Sequence, residues 1–227
     1  MKEKLIIWDF DGVIADTEVI WLKIRLDALN KKFSLNYDMQ SIYKIFGGTN
    51  DSMKQKILND MGYETDKNFW DELFAQDIVY INEHGIDLTK GVEDIFKSDK
   101  FAQCIATSGG KFKTDIKIKC CGIRKYFPEN RVFTADNVSV AKPEPDLFLY
   151  AAEKMGYKAE NSIVIEDSIA GMTAAKRAGM KIIAFVGNEL YKNDNFINKI
   201  KELGINNIFF DMNSVKQYLE QIYLNTI

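Results

Sequence analysis

The chain has 227 residues, 46% hydrophobic and 28% charged, with a formal net charge of -3. That balance fits a globular protein with a proper core, as one α/β domain with an insertion or two small domains, and leaves no basic field to hold nucleic acid. No apolar run approaches the ~20 residues of a membrane helix, and Asp9 and Asp11 interrupt the N-terminal one, so neither a signal peptide nor a membrane anchor is expected.

In chain order, Leu5 to Phe10 is an apolar strand that runs into Asp11-Gly12. A charge-laced helical stretch follows, with helices at Val19–Lys31, Met39–Ile45, Asp51–Met61 and Phe69–Asn82, divided by Gly47-Gly48 and Gly62. Beyond Gly91 strands and helices alternate. Strands are expected at Ala102–Ala106, Val132–Thr134, Ile163–Ile165, Ile182–Val186 and Asn207–Phe209. Helices are expected at Lys113–Cys121, Asp146–Met155 and Ala170–Ala178, and from Ser214 onward. The alternation points to an α/β fold, a Rossmann-like parallel sheet with an all-helical insertion. The α/β core takes residues 1–16 and 84–227, and the helical cap 17–83. Lys111-Phe112-Lys113 and Lys117-Ile118-Lys119 are read as solvated helix faces. The three cysteines, Cys104, Cys120 and Cys121, offer no metal-ligand spacing and fit a structural role in a reducing cytoplasm.

Open parallel sheets collect their chemistry at the C-terminal ends of the strands. That rule selects Asp9, Asp11, Thr107, Ser108, Glu166 and Asp167. Asp9 and Asp11 flank Phe10, so strand alternation points both carboxylates to one side, where a cation is the natural partner. Gly12 lets the backbone turn tightly beside a ligand. Thr107-Ser108-Gly109-Gly110 supplies hydroxyls and amides suited to phosphate oxygens. Lys142 stands among Pro143 and Pro145, which restrict its backbone. Glu166-Asp167 adds oxygen ligands for a cation. Each segment alone also fits an ordinary turn or helix cap; the four together, in order on successive strand ends, do not.

Asp9-Phe10-Asp11-Gly12, Thr107-Ser108, Lys142 and Glu166-Asp167 resemble the four motifs of the haloacid dehalogenase superfamily, in the subgroup with a small helical cap after the first strand. Lys142-Pro143-Glu144-Pro145-Asp146-Leu147-Phe148 and Glu166-Asp167-Ser168-Ile169-Ala170-Gly171 resemble the branch of sugar-phosphate phosphatases and β-phosphoglucomutases. The resemblance implies Mg²⁺ held by the Asp9 carboxylate, the Asp11 main-chain carbonyl and Asp167, with Glu166 assisting directly or through water. It implies Asp9 as nucleophile, Asp11 as acid and base, and Lys142 as bridge to the phosphate. Ser108 and the Gly109 amide would hold phosphate oxygens. The family's hydroxyl aligns with either Thr107 or Ser108, and Ser108 is preferred.

Asp11 argues against dehalogenation, whose enzymes lack it. The β-phosphoglucomutase alternative asks for a histidine on the first cap helix and an arginine in the cap loop. The corresponding stretches, Thr17-Glu18-Val19-Ile20-Trp21 and Phe46-Gly47-Gly48-Thr49-Asn50, contain neither. The expected activity is a Mg²⁺-dependent phosphatase acting on a small phosphorylated metabolite, a cytoplasmic monomer by default with a weak dimer as the other option. A non-catalytic phosphometabolite-binding protein is the third reading. Gly47-Gly48-Thr49-Asn50 is the candidate substrate-facing loop. Trp21, Phe46 and Trp70 are read as cap core, and His84, the only histidine, as a hinge or surface residue.

Overall fold

The computed structural model describes residues 2–46 and 51–225. The loop expectation at Gly47-Gly48-Thr49-Asn50 lies outside the described residues. The chain divides into two units, Met1–Asp16 with Asp87–Ile227, and Thr17–Ile86.

The first unit is built on six parallel strands: β1 (Leu5–Trp8), β2 (Ala102–Thr107), β3 (Val132–Thr134), β4 (Ser162–Glu166), β5 (Lys181–Phe185) and β6 (Ile208–Phe209). Their order across the sheet is β3-β2-β1-β4-β5-β6, with β1 paired to β2 on one side and to β4 on the other. The connections from β1 therefore depart in opposite directions, and a crevice opens at the C-terminal ends of β1 and β4. Both faces of the sheet are covered, so its central strand β1 is apolar throughout: Leu5, Ile6, Ile7 and Trp8 are all fully buried. Leu5 and Ile7 share a core with Phe148 and Ala151 of α7 (Asp146–Met155) and Met172 and Ala175 of α8 (Ile169–Arg177). On the other face Trp8 meets Phe96 edge-on at 5.2 Å, and Phe96 meets Phe127 at 4.9 Å. The indole N–H of Trp8 donates to Gln103 Oε1 (3.0 Å), so the buried strand amide costs little.

Helices α5 (Val92–Phe96) and α9 (Asp194–Glu202) were not expected from the sequence pattern. The first is five residues long, too short for a helical period, and is held by tertiary contacts: Gln103 Nε2 donates to the carbonyl of Ile95 at 3.1 Å. The second begins at an Asn193 cap and buries only Ile200, so its apolar stripe is thin. The remaining helices of this unit are α6 (Lys111–Cys120) and α10 (Met212–Leu224).

The second unit holds α1 (Thr17–Phe33), α2 (Met39–Phe46), α3 (Asp51–Asp60) and α4 (Lys67–His84). Leu22, Leu26 and Leu29 of α1 recur at helical spacing and pack with Ile42, Phe46, Leu58, Trp70 and Leu73. Arg25 lies on that same buried stripe and forks onto Asp77 of α4, with Nη2 at 2.9 Å from Oδ2. Asp66 caps α4 by accepting from the amide of Phe69. α4 continues to His84 and the unit to Ile86, past the Asn82 and residue-83 ends expected from pattern. Where the chain returns to the α/β unit, the Thr89 amide donates to the Ile14 carbonyl (2.8 Å), joining the two connecting segments.

Candidate active site

Strand β1 stops at Trp8, but Asp9 stays tied to the sheet through its amide, which donates to the Ile165 carbonyl (3.0 Å). The chain then turns sharply: the amides of Val13, Ile14 and Ala15 all approach the carbonyl of Phe10, and Gly12 adopts φ +81. An L side chain at that φ would be strained. A Cβ on Gly12 would also stand 1.9 Å from Asp167 Oδ2, so the glycine makes room for the acidic residue at the end of β4.

Lys142, in the segment before α7, reaches back across three strand ends. Its ammonium donates to Asp9 Oδ1 (2.6 Å), Glu166 Oε1 (3.0 Å) and the Ala106 carbonyl (3.2 Å), one acceptor for each of its three protons. It also lies 4.5 Å over the Phe148 ring. Its side chain is 3% exposed. Burial opposes its charge, but the attraction of Asp9 and Glu166 wins and holds the ammonium above the ordinary lysine range.

Glu166 is fully occupied as well, its second oxygen accepting from the Ser168 amide at 2.6 Å. It lies directly against Gly171 of α8, where a Cβ would meet Oε1 at 1.6 Å. Carboxylate oxygens of Asp9, Glu166 and Asp167 all lie within 4.8 Å of one another. Removal from water pushes the Asp9 carboxyl up to about 7, with Glu166 and Asp11 adding to the rise and Lys142 opposing it. Three residues thus offer hard oxygen donors at one point. That donor set fits a divalent cation of the Mg²⁺ or Ca²⁺ type.

The side chain of Asp11 is not part of this group. It lies close enough to help raise the Asp9 carboxyl, but outside the cluster formed by Asp9, Glu166 and Asp167. Asp11 faces Lys117 of α6 instead, whose Nζ lies 2.8 and 2.7 Å from its two oxygens. This corrects the reading of Lys117-Ile118-Lys119 as a solvated face, since the Lys117 side chain is 2% exposed. Lys117 lies on the buried side of α6 with Thr114 and Ile118, a placement that the local charge pattern did not reveal.

At the end of β2 the Thr107 hydroxyl is buried and accepts from the Gly109 amide (3.2 Å), whereas Ser108 is exposed. The structure thus gathers Asp9, Lys142, Glu166 and Asp167 in direct contact or close proximity, with Asp11 two residues on and Thr107, Ser108 and Gly109 on the neighbouring strand end. His84 stays apart from them in sequence and role, exposed on α4 and stacked on Tyr80. Cys104 is buried in the sheet, where loss of water holds its thiol far above the usual range.

A family model for haloacid dehalogenase-like hydrolases matches residues 6–185. A 6-phosphogluconate phosphatase of Escherichia coli is 23% identical over 79% of this chain and 81% of its own length. A fructose-1-phosphate phosphatase of the same organism is 28% identical over 78% of this chain and 94% of its own. Among solved structures, a hydrolase of Deinococcus radiodurans with bound phosphate and sodium superposes with a TM-score of 0.82 at 19% identity, covering 97% of this chain and 96% of that one. The last comparison speaks to the fold alone.

Proposed function

This chain belongs to the haloacid dehalogenase-like hydrolases, and on that premise we propose that it is a Mg²⁺-dependent phosphatase of small phosphorylated metabolites, sugar phosphates above all. The observation that carries the reading is the convergence of Asp9, Lys142 and Glu166 at one point, with Asp167 beside them and the Asp11 carboxylate two residues from the nucleophile. The two sugar-phosphate phosphatases among its relatives support the substrate class.

Asp9, the main-chain carbonyl of Asp11, Glu166 and Asp167 would hold the metal. When bound, Mg²⁺ supplies positive charge that offsets the repulsion between a carboxylate and a phosphate dianion. Lys142 provides the second positive charge, already fixed against the nucleophile. Ser108 and the Gly109 amide hold the other phosphate oxygens. An Asp9 oxygen attacks phosphorus, the ester P–O bond breaks, and the protonated Asp11 carboxyl gives its proton to the departing alcohol. Asp11, now ionised, takes a proton from water as that water attacks the aspartyl-phosphate. The bond to Asp9 breaks, and inorganic phosphate leaves with both carboxyl groups restored.

Mutase chemistry lacks its histidine on α1, which begins Thr17-Glu18-Val19-Ile20-Trp21, so water is taken as the acceptor. The proposed enzyme is cytoplasmic, a monomer by default with a weak dimer as the other option, and has no nucleic acid or membrane partner. Among the described residues no helix is long and apolar enough to cross a membrane. The test is phosphate release from a panel of some tens of phosphorylated metabolites, with and without Mg²⁺. Release from sugar phosphates only when Mg²⁺ is present is the expected result. Binding without turnover across the whole panel would replace this reading by the non-catalytic one.

A further inference from the structure

Lys117 plays no part in the motifs that brought Asp9, Lys142 and Glu166 together, yet its ammonium reaches the same strand ends. It extends from the middle of α6, lies 4.5 Å over the Phe10 ring and contacts both oxygens of Asp11. A Cβ on Gly109 would stand 3.6 Å from its Nζ, ordinary contact distance, so the ammonium lies directly beside the Gly109 backbone. The Phe10 ring, the Gly109 backbone and the Asp11 carboxylate thus confine the ammonium from three sides.

A lysine that is 2% exposed is an expensive way to fill space, because an apolar side chain on the Thr114–Ile118 stripe would pack there without desolvating a charge. Its partner is buried unequally: the Asp11 side chain is 38% exposed. The ammonium therefore grips the carboxylate from the protein side. Contact with both oxygens also restrains rotation of the carboxylate plane, which a single hydrogen bond would not do.

We propose that Lys117 is the positioning residue for Asp11, orienting its carboxyl group for proton exchange with the leaving alcohol and the attacking water. The role rests on the phosphatase reading above and adds a residue outside its four motifs. Lys142 serves the nucleophile and Lys117 serves the acid and base; the two cations have separate duties.

The experiment compares kcat/KM of wild type, Lys117→Met and Lys117→Arg on two esters, p-nitrophenyl phosphate and a sugar phosphate hydrolysed by the wild type. The specificity constant covers steps through transfer to Asp9, and only the sugar alcohol needs a proton in that step. In Lys117→Met the sugar phosphate is expected to lose about 10²-fold, the low end of general-acid effects, while p-nitrophenyl phosphate loses less than a tenth of that factor. Lys117→Arg, which keeps the charge, is expected to recover part of the loss on the sugar phosphate. Equal losses on both esters would make Lys117 a screening charge or a packing residue and overturn the proposal. So would no loss on either, or failure of both variants to fold. A wild type inactive on every ester removes the phosphatase reading, and this role with it; an active wild type without the split removes only the role of Lys117.

Discussion

Both units bury charge, and they do it in opposite ways. In the helical unit Arg25 and Asp77 are 1% and 0% exposed and form a forked pair whose charges cancel. At the strand ends of the α/β unit, Asp9, Glu166 and Asp167 gather near the ammonium of Lys142. The first pairs one positive group with one negative group. The second brings carboxylate oxygens of three residues within 4.8 Å of one another, a donor set that fits a divalent cation. Burial of charge is thus a poor marker of function, and convergence of several carboxylates is a better one.

The comparison breaks first at Asp9. Asp9→Asn is expected to lower phosphate release by on the order of 10⁴-fold or more, with no loss of thermal stability, because the change removes a carboxylate that burial disfavours while keeping the shape. An active Asp9→Asn enzyme would end the nucleophile assignment. In the helical unit the expectation reverses: Arg25→Met leaves Asp77 buried alone and is expected to cost about 3–5 kcal/mol, whereas Arg25→Met combined with Asp77→Leu returns close to wild type. Denaturant unfolding of the three variants measures this, and additive losses would show that the pair is not the self-contained unit described.

A third test uses pH. The Asp9 carboxyl is near 3.8 when unfolded and at about 7 in the folded protein, chiefly through burial. Between those values the folded state holds more protons than the unfolded one, so this group makes metal-free stability fall as pH rises from about 4 to about 7, by a few kcal/mol at most. Protons and metal compete for the same oxygen. Mg²⁺ should therefore raise the melting temperature more at pH 7.5 than at pH 5, and an equal shift at both would exclude Asp9 as a ligand. The smallest effect is expected at Gly171→Ala. The new methyl would collide with Glu166 Oε1 and displace that carboxylate, weakening Mg²⁺ affinity by about 10–100-fold in a titration. Unchanged affinity would place Glu166 outside the metal's surroundings.

The sheet was legible because strands covered on both faces are apolar at every position, and Leu5, Ile6, Ile7 and Trp8 announce that without help. The strand-end acids were legible for the converse reason: Asp9 and Glu166 are residues a buried strand otherwise avoids. Lys117 was not, because a lysine is ordinarily solvated and nothing near it in sequence names its partner, 106 residues away. Gly171 belongs to the same class; it follows Glu166 by five residues, and only the docking of α8 on β4 turns its missing side chain into space for a carboxylate.

Sequence alone determined which residues end the strands, and with them the candidate nucleophile Asp9, the neighbouring Asp11 and the candidate bridging lysine, Lys142. Periodicity and local chemistry suffice for that, since both act within a few residues. Tertiary structure decided how the charges are shared. Asp9 pairs with Lys142 and Asp11 with Lys117, a division that strand alternation does not specify. Pairing among buried charges depends on distances of a few ångströms between segments far apart in the chain, and no local pattern carries that information.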